Sequence, residues 1–255
     1  MNEKHLCFDP FRMVGPKLNA PGCSLDGVHS QPVPETISFQ EGLMVMSGKM
    51  IEMIRLLSKC VVSGAQKQMG ACESLASEVR QQEGGLTAVL LSRDLRANLP
   101  DDLIRLPHHL ERIGDMLERI LIRCRDKART AVPFSDKAYG ELDQIFVFLL
   151  DMMMNLHDAI GRPNKVLLEH IISSGKKLGK MLLDFRSAHW KRLEAGFCTP
   201  HASAVYLDIL DSMTTMNEYL TSVCATFLEL GTTSPTGATA PEHAQEKRLG
   251  SVDVR

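Results

Sequence analysis

Two carboxylates one helical turn apart, Glu111 and Asp115, are the residues of this chain whose types and spacing best suit chemistry. Positions four apart lie on one face of a helix, so the two side chains are predicted to point together. His108 lies one turn before Glu111 on the same stripe and adds a candidate nitrogen ligand. This set predicts an oxygen-rich site for a divalent or iron-type metal ion at His108, Glu111 and Asp115.

The same segment also fits a solvated helix face with no ligand. Arg119 follows Asp115 by four positions, the order that favours an ion pair worth a few tenths of a kcal/mol. One helical turn offers two or three ligands, whereas stable metal sites use roughly four to six, so neighbouring helices would have to supply the others. The sequence does not identify these further ligands, and both interpretations stay open.

The helix that positions these carboxylates is visible in its apolar pattern. Its apolar residues recur at intervals of three and four: Leu103, Leu106, Leu110, Ile113, Leu117 and Ile120. They predict a buried face, with Glu111 and Asp115 pointing away from it towards water. Pro107 predicts either a kink or the true start of the helix. Gly114 lies beside the buried face, and close approach of a neighbouring helix or a bound ion would explain a glycine there.

Other helices precede this one. A first helix is predicted to begin near Ser38 and to run to about Gln82, with a weak point at Gly64 or Gly70. Gly84–Gly85 is then predicted to break the chain, and a further helix is expected to stop before Pro100. The run of cations that ends the motif helix (Arg119, Arg123, Arg125, Lys127 and Arg129) is predicted to complement the helix dipole.

The second half of the chain repeats this order of helices. Ser135 is predicted to cap a helix, and Thr199 and Pro200 are predicted to begin the last one. Three buried stripes are predicted: Leu142, Ile145, Leu149, Met153, Leu156 and Ile160; Leu167, Ile171, Leu178, Leu182, Phe185 and Trp190; and Tyr206, Ile209, Met213, Met216, Leu220, Val223 and Phe227. The repeat predicts an all-α fold of two tandem antiparallel three-helix bundles, at 37–132 and 133–230. An irregular arm at 1–36 and a disordered tail at 231–255 would flank them.

Composition narrows the class of protein. Aromatic residues make up only 5% of the chain while methionine occurs 14 times, which suits helix packing better than sheets. A net charge of −2 gives no general attraction to nucleic acid. The chain has neither a long apolar run nor a secretory signal, and its 7 cysteines are dispersed, so a cytoplasmic protein with reduced thiols is expected. P-loops, nucleophile elbows and Cys/His pairs are absent, which argues against an enzyme.

Two motifs and the repeat together resemble the PhoU family, whose members regulate phosphate uptake and consist of two three-helix bundles. One motif is Leu110-Glu111-Arg112-Ile113-Gly114-Asp115 in the last helix of the first bundle. The other is the turn at 189–200, followed by Tyr206-Leu207-Asp208-Ile209-Leu210, which is most similar to the PhoU-like domain of bacterial sodium–phosphate cotransporters. The resemblance covers about 37–230.

The resemblance implies a function and also one departure from it. It implies a cytoplasmic, non-enzymatic regulator or accessory protein whose partner is a membrane phosphate transporter or a sensor kinase, with a homodimer left open. Family members can hold metal ions at paired acidic motifs, but the second copy here is Thr214-Thr215-Met216-Asn217-Glu218, which retains only Glu218 as an acid. Two other hypotheses stay open: a metal-binding protein that uses the carboxylates of the first bundle, and a helical adaptor without a phosphate role.

Overall fold

The computed structural model describes residues 38–63, 65–91, 100–130 and 133–232. Six helices account for nearly all of these residues: α1 (Phe39–Ser63), α2 (Gln66–Leu90), α3 (Asp101–Thr130), α4 (Asp136–Gly161), α5 (Lys165–Glu194) and α6 (Pro200–Thr232). Within these ranges the chain forms no strand. The predicted arm at 1–36 lies outside the described residues, as does the predicted tail from 233 onward, while residues 231 and 232 continue α6.

The predicted starts of α4 and α6 are confirmed by their caps. The Ser135 hydroxyl oxygen accepts a hydrogen bond from the backbone N–H of Ala138 at 3.3 Å. The Thr199 hydroxyl oxygen accepts one from the N–H of Ala202 at 3.2 Å, and Pro200 is the first residue of α6. These contacts satisfy N–H groups that have no partner inside the helix, which is why the hydroxyl residues begin the helices.

The predicted helix break at Gly84–Gly85 is wrong, because α2 runs through both glycines to Leu90. Helix α1 instead ends at Ser63, next to the predicted weak point at Gly64. Leu86 packs tightly over Gly42 of α1, where an added Cβ would lie only 2.5 Å from a Leu86 methyl group. Burial of Leu86 against α1, together with burial of Leu90, offsets a cost of about 1 kcal/mol for each helical glycine.

The helices pack as two three-helix bundles, α1–α3 and α4–α6, which confirms the predicted fold class. The bundles contact each other mainly through α3 with α6 and through α1 with α4. Each of these contacts pairs equivalent helices of the two repeats, as a two-fold interface does between identical subunits. The outer helices, α2 and α5, pack mainly on their own bundle.

One continuous hydrophobic core spans both bundles. The predicted stripes of α3, α4 and α6 are all buried. Trp190 was predicted to be buried on α5 but is about half exposed, and its neighbour His189 is buried instead. Polar contacts also join the bundles: the Ser47 hydroxyl and His157 Nδ1 are 2.8 Å apart, and Arg123 Nε lies 3.0 Å from Asp208 Oδ2. Over the described residues, no helix is apolar and long enough to cross a membrane.

Candidate functional site

Glu111 and Asp115 lie on the side of α3 that faces α2. The side chains are 15% and 25% exposed, respectively. Both carboxylates interact electrostatically with Arg80 of α2, and the charge of Glu83 on that helix also acts on Glu111. The prediction that both groups face water is therefore wrong for Glu111, which α2 largely covers.

Gly114 explains how α2 comes this close to the carboxylates. A Cβ at this position would lie 3.2 Å from Val79 Cγ1 on α2, closer than most side-chain contacts. The predicted close approach of a neighbouring helix is confirmed by this geometry. The glycine in the motif therefore allows α2 to shield the acidic pair from solvent.

The two carboxyl groups interact with each other, and an arginine within the motif binds Asp115. Burial, then the Asp115 charge and a hydrogen bond between the two carboxyl groups, raises the pKa of Glu111 to about 7. Arg112 Nη1 donates to Asp115 Oδ2 at 2.8 Å, and Arg112 also hydrogen-bonds Tyr219 of α6. Asp115 thus pairs with Arg112 and not, as predicted, with Arg119. The contact of Arg112 with Tyr219 links the motif to the second bundle.

The predicted metal ligands do not form a complete site. His108 is 60% exposed, and its Nδ1 lies 3.8 Å from Glu111 Oε2. One carboxylate already accepts a hydrogen bond from the Arg112 guanidinium, a cation that competes with a metal for the same oxygen. No group of three or more His, Cys, Asp or Glu side chains placed to hold a metal ion occurs within the residues described. Among the described residues, His108, Glu111 and Asp115 therefore provide only part of the ligand set that a metal ion needs.

The cations at the end of α3 are used in ion pairs with neighbouring helices. Arg125 pairs with Glu73 of α2. Arg123 pairs with Asp126 of its own helix and with Asp208 of α6. Arg129 Nη2 lies 3.3 Å from Asp126 Oδ1. These contacts give the run a role in helix packing beyond its predicted match to the helix dipole.

The second motif is built for packing. The Thr214 hydroxyl donates to the backbone carbonyl of Leu210 at 2.8 Å, so it is turned onto its own helix. Asn217 is buried, and its Nδ2 donates to the carbonyl oxygen of Gly175 on α5 at 3.0 Å. Glu218, the one acid retained, is exposed. The second bundle therefore lacks a counterpart of the acidic pair.

The second bundle contains a buried charged cluster that was not predicted from the sequence. Glu141 of α4 is only 1% exposed and accepts hydrogen bonds from Arg192 Nη1 at 2.8 Å and Nη2 at 2.6 Å. The Tyr206 hydroxyl donates to Glu141 Oε2 at 2.6 Å. Burial and this carboxylate raise the pKa of Tyr206, so the phenol stays protonated. The available signal was that Glu141 falls on the apolar stripe of α4, beside Leu142.

Solved structures share this arrangement of helices. No known family model matches the sequence, and no curated protein matches it. The crystal structure of PhoU from Pseudomonas aeruginosa superposes with a TM-score of 0.63 at 16% identity, over 75% of this chain and 94% of that one. The fold is that of PhoU.

A second PhoU structure agrees. The phosphate transport system regulatory protein PhoU from Streptococcus pneumoniae matches with a TM-score of 0.60 at 14% identity, again over 75% of this chain and 94% of that chain. The predicted PhoU-like fold is thus confirmed at the level of structure, and almost the whole of each PhoU chain has a counterpart here.

Proposed function

We propose that this protein is a cytoplasmic, non-enzymatic regulator or accessory protein of phosphate transport or phosphate signalling that acts by protein contact. The observation that carries this proposal is the PhoU-like fold, which accounts for 94% of the Pseudomonas aeruginosa PhoU chain. Fold alone does not determine function, so the proposal also depends on a surface suited to a partner.

Helix α5 offers such a surface on its outer face. Lys176, Lys180, Leu183 and Trp190 form an exposed stripe, here called the docking stripe. The spacing of 4, 3 and 7 positions keeps these side chains on one face of the helix. Exposed tryptophan is enriched among residues that contribute strongly to protein interfaces, and the lysines favour an acidic partner. We propose that the docking stripe binds a membrane phosphate transporter or sensor kinase through an acidic, partly apolar surface.

The partner can be tested by co-purification under native conditions. The expected result is recovery of a phosphate transporter or a phosphate-responsive kinase with the full-length protein, and altered phosphate uptake when the protein is removed. Unchanged phosphate uptake and unchanged phosphate-responsive expression in the deletion strain would count against the function.

Metal binding is the second candidate function, and the half-buried Glu111–Asp115 pair is the observation that favours it. A divalent cation at this pair would have to displace the proton from Glu111 and recruit further oxygen ligands. Elemental analysis of protein purified without an affinity tag provides the test. Stoichiometric iron, zinc or manganese that is lost in Glu111→Ala/Asp115→Ala protein supports this function, whereas metal-free protein that still binds its partner rules it out.

A further inference from the structure

The turns that join α1 to α2, α3 to α4 and α5 to α6 lie at the same end of the molecule. His201 Nε2 at the start of α6 is 3.2 Å from Thr130 Oγ1 at the end of α3. One cavity is lined both by the segment before α4 and by the turn after α5, and another by Gln66 of α2 and Arg129 of α3. This end is here called the basic end and consists of the described residues within 59–70, 126–138 and 190–204.

Charge is distributed unevenly between the two ends of the bundles. Cations outnumber acids at the basic end, where the cations are Lys59, Lys67, Lys127, Arg129, Lys137, Lys191 and Arg192 and the acids are Asp126, Asp136 and Glu194. The last or first turn and a half of each helix, about five residues, shows the reverse at the opposite end. Among the residues described there, the acids are Glu41, Asp101, Asp102, Asp158, Glu169 and Glu229, and the cations are Arg105, Arg162 and Lys165. A chain with a net charge of only −2 therefore has a positive end.

The helix dipole does not account for this positive end. Three helices end there and three begin there, so the dipoles of the antiparallel helices largely cancel. Lys67 lies in the first turn of α2 and Lys137 in the first turn of α4, where the dipole disfavours a cation. Lys59, Lys67, Lys137 and Lys191 are exposed, and none of them pairs with an acid within the described residues. These lysines are therefore available to an anionic partner.

An aromatic side chain projects from the basic end. Gly196 ends α5 with a φ of +77°, and its N–H donates to the carbonyl oxygen of Leu193 at 3.0 Å. The N–H of Phe197 donates to the carbonyl oxygen of Arg192 at 2.9 Å, which completes a Schellman cap. The apolar residue that follows the glycine of such a cap frequently packs on the helix it ends. Phe197 is instead 79% exposed, so a fixed turn holds its ring in solvent.

The composition of this end favours a lipid surface over other anionic partners. Phe197 and Trp190 are the exposed aromatic side chains of phenylalanine, tyrosine and tryptophan among the residues described, and both belong to the basic end, as does the exposed Val62. Exposed aromatic residues next to lysines are typical of proteins that bind at the interface of an anionic bilayer. A single-stranded nucleic acid would require cations along a groove, whereas the exposed lysines here are spread over four helices.

We propose that the basic end binds the surface of an anionic bilayer, with its exposed lysines against the lipid phosphates and the Phe197 ring inserted among the headgroups. The opposite end, where the described charges are mainly acidic, would face away from the bilayer. The docking stripe extends along α5 from Trp190 at this end, so a molecule bound in this way would present it to a membrane protein. Lipid binding does not require the phosphate-related function, and either can fail without the other.

Co-sedimentation of the full-length protein with vesicles tests the role of charge. The protein should bind vesicles of equimolar phosphatidylglycerol and phosphatidylcholine, should not bind pure phosphatidylcholine, and should be released by high salt. Lys67→Glu/Lys137→Glu should lower the partition coefficient at least about tenfold, since each cation near an anionic surface contributes about fivefold. Both changes place an acid in a first helical turn, so stability should be kept.

Lys165→Glu is the matched control, because it makes the same change in the first turn of α5 at the opposite end. This variant should bind vesicles as the wild-type protein does. Equal losses in the control and in Lys67→Glu/Lys137→Glu protein would overturn the proposal. Absence of vesicle binding by the wild-type protein, or equal binding to the two kinds of vesicle, would overturn it as well.

Insertion of Phe197 has a test of its own. Phe197→Ser should weaken vesicle binding at least about fivefold, because the variant has no ring to bury at the interface. Trp190 is the single tryptophan of the chain, so Phe197→Trp/Trp190→Phe protein carries its only indole at the proposed contact. On anionic vesicles its emission should shift to shorter wavelength and be quenched by brominated phosphatidylglycerol, and unchanged emission would overturn the proposal. Tighter binding to a single-stranded oligonucleotide than to vesicles, undiminished by Phe197→Ser, would also overturn it and assign this end to nucleic acid.

Discussion

The Asn217 side-chain amide of α6 donates a hydrogen bond of 3.0 Å to the backbone carbonyl of Gly175 on α5. In the first bundle, the equivalent position of the motif helix is Gly114, which faces Val79 of α2. The small residue that permits close helix contact has thus changed sides between the two repeats. Gly175 now provides the space, and Asn217 occupies the position where the first motif has its glycine.

Gly175→Ala is expected to destabilise the protein by about 1–3 kcal/mol, because the added Cβ would collide with the Thr221 methyl group and lie 3.0 Å from Asn217 Oδ1. Gly179→Ala on the same helix is the matched control. The nearest atom to its Cβ would be Asn217 Nδ2 at 3.8 Å, so this change should be neutral or stabilise by up to about 1 kcal/mol. Urea denaturation measures both, and equal effects would refute the close contact.

The raised pKa of Glu111 gives a pH dependence of defined sign. Its pKa is raised from 4.5 to about 7, so between these values the folded state binds more protons than the unfolded state. Glu111 therefore increases the free energy of unfolding at low pH, and this contribution is lost as pH rises through about 7. Glu111→Gln removes the dependence. Relative to wild type, the variant should gain about 1 kcal/mol between roughly pH 4 and pH 8, after allowance for solvent screening.

Glu41 provides a control of opposite sign. Ser38 N–H donates to Glu41 Oε2 at 2.8 Å, and this contact lowers the pKa of Glu41. Its stabilising effect is present above its unfolded pKa and is lost as pH falls. Glu41→Gln should thus lose stability relative to wild type as pH rises. This change falls below about pH 5, so denaturation curves from about pH 3 to pH 8 distinguish the two variants. A parallel response of both would exclude a raised pKa at Glu111.

Arg192→Met should destabilise the protein by about 3–5 kcal/mol, because it leaves the buried Glu141 carboxylate without its cation. Arg186→Met, which is on the same helix α5 and removes the partner of the exposed Asp211 of α6, should cost no more than about 1 kcal/mol. Thermal or urea unfolding measures the difference. Similar losses in the two variants would mean that the Glu141 pair is not protected from water.

Changing Leu183 and Trp190 to glutamate should abolish partner capture if the docking stripe is the interface. Both side chains are exposed, so the free energy of unfolding should change by less than about 0.5 kcal/mol for each. Val147→Glu, at an exposed apolar position on α4, is the control and should retain the partner. Native co-purification with the membrane fraction provides the measurement. Undiminished capture by the Leu183→Glu/Trp190→Glu protein would assign the interface elsewhere.

The sequence predicted those features that depend on local spacing. Helical periods located the buried stripes of α3, α4 and α6, and the hydroxyl caps located the starts of α4 and α6. Features that depend on contacts distant in sequence were missed. The Gly84–Gly85 break failed because Leu86 packs against α1, and Glu111 was expected to face water because its neighbours on α2 could not be identified.

The buried charged cluster shows a related limit. Glu141 and Arg192 are 51 positions apart, and no period in the sequence pairs them. Trp190 was predicted to lie on the buried stripe of α5, but His189 is buried instead and its ring stacks on Tyr206. The helices could be located from the sequence, but the residues that pair between different helices could not.

The continuous core between the bundles restricts how the molecule could transmit a signal. Separation of α3 from α6 would expose an apolar interface that runs along both repeats to water. Opening of the two bundles is therefore energetically unfavourable. Sliding of packed helices by small steps keeps that interface dry. A partner bound to one face would therefore displace the two bundles together, with only small shifts between packed helices.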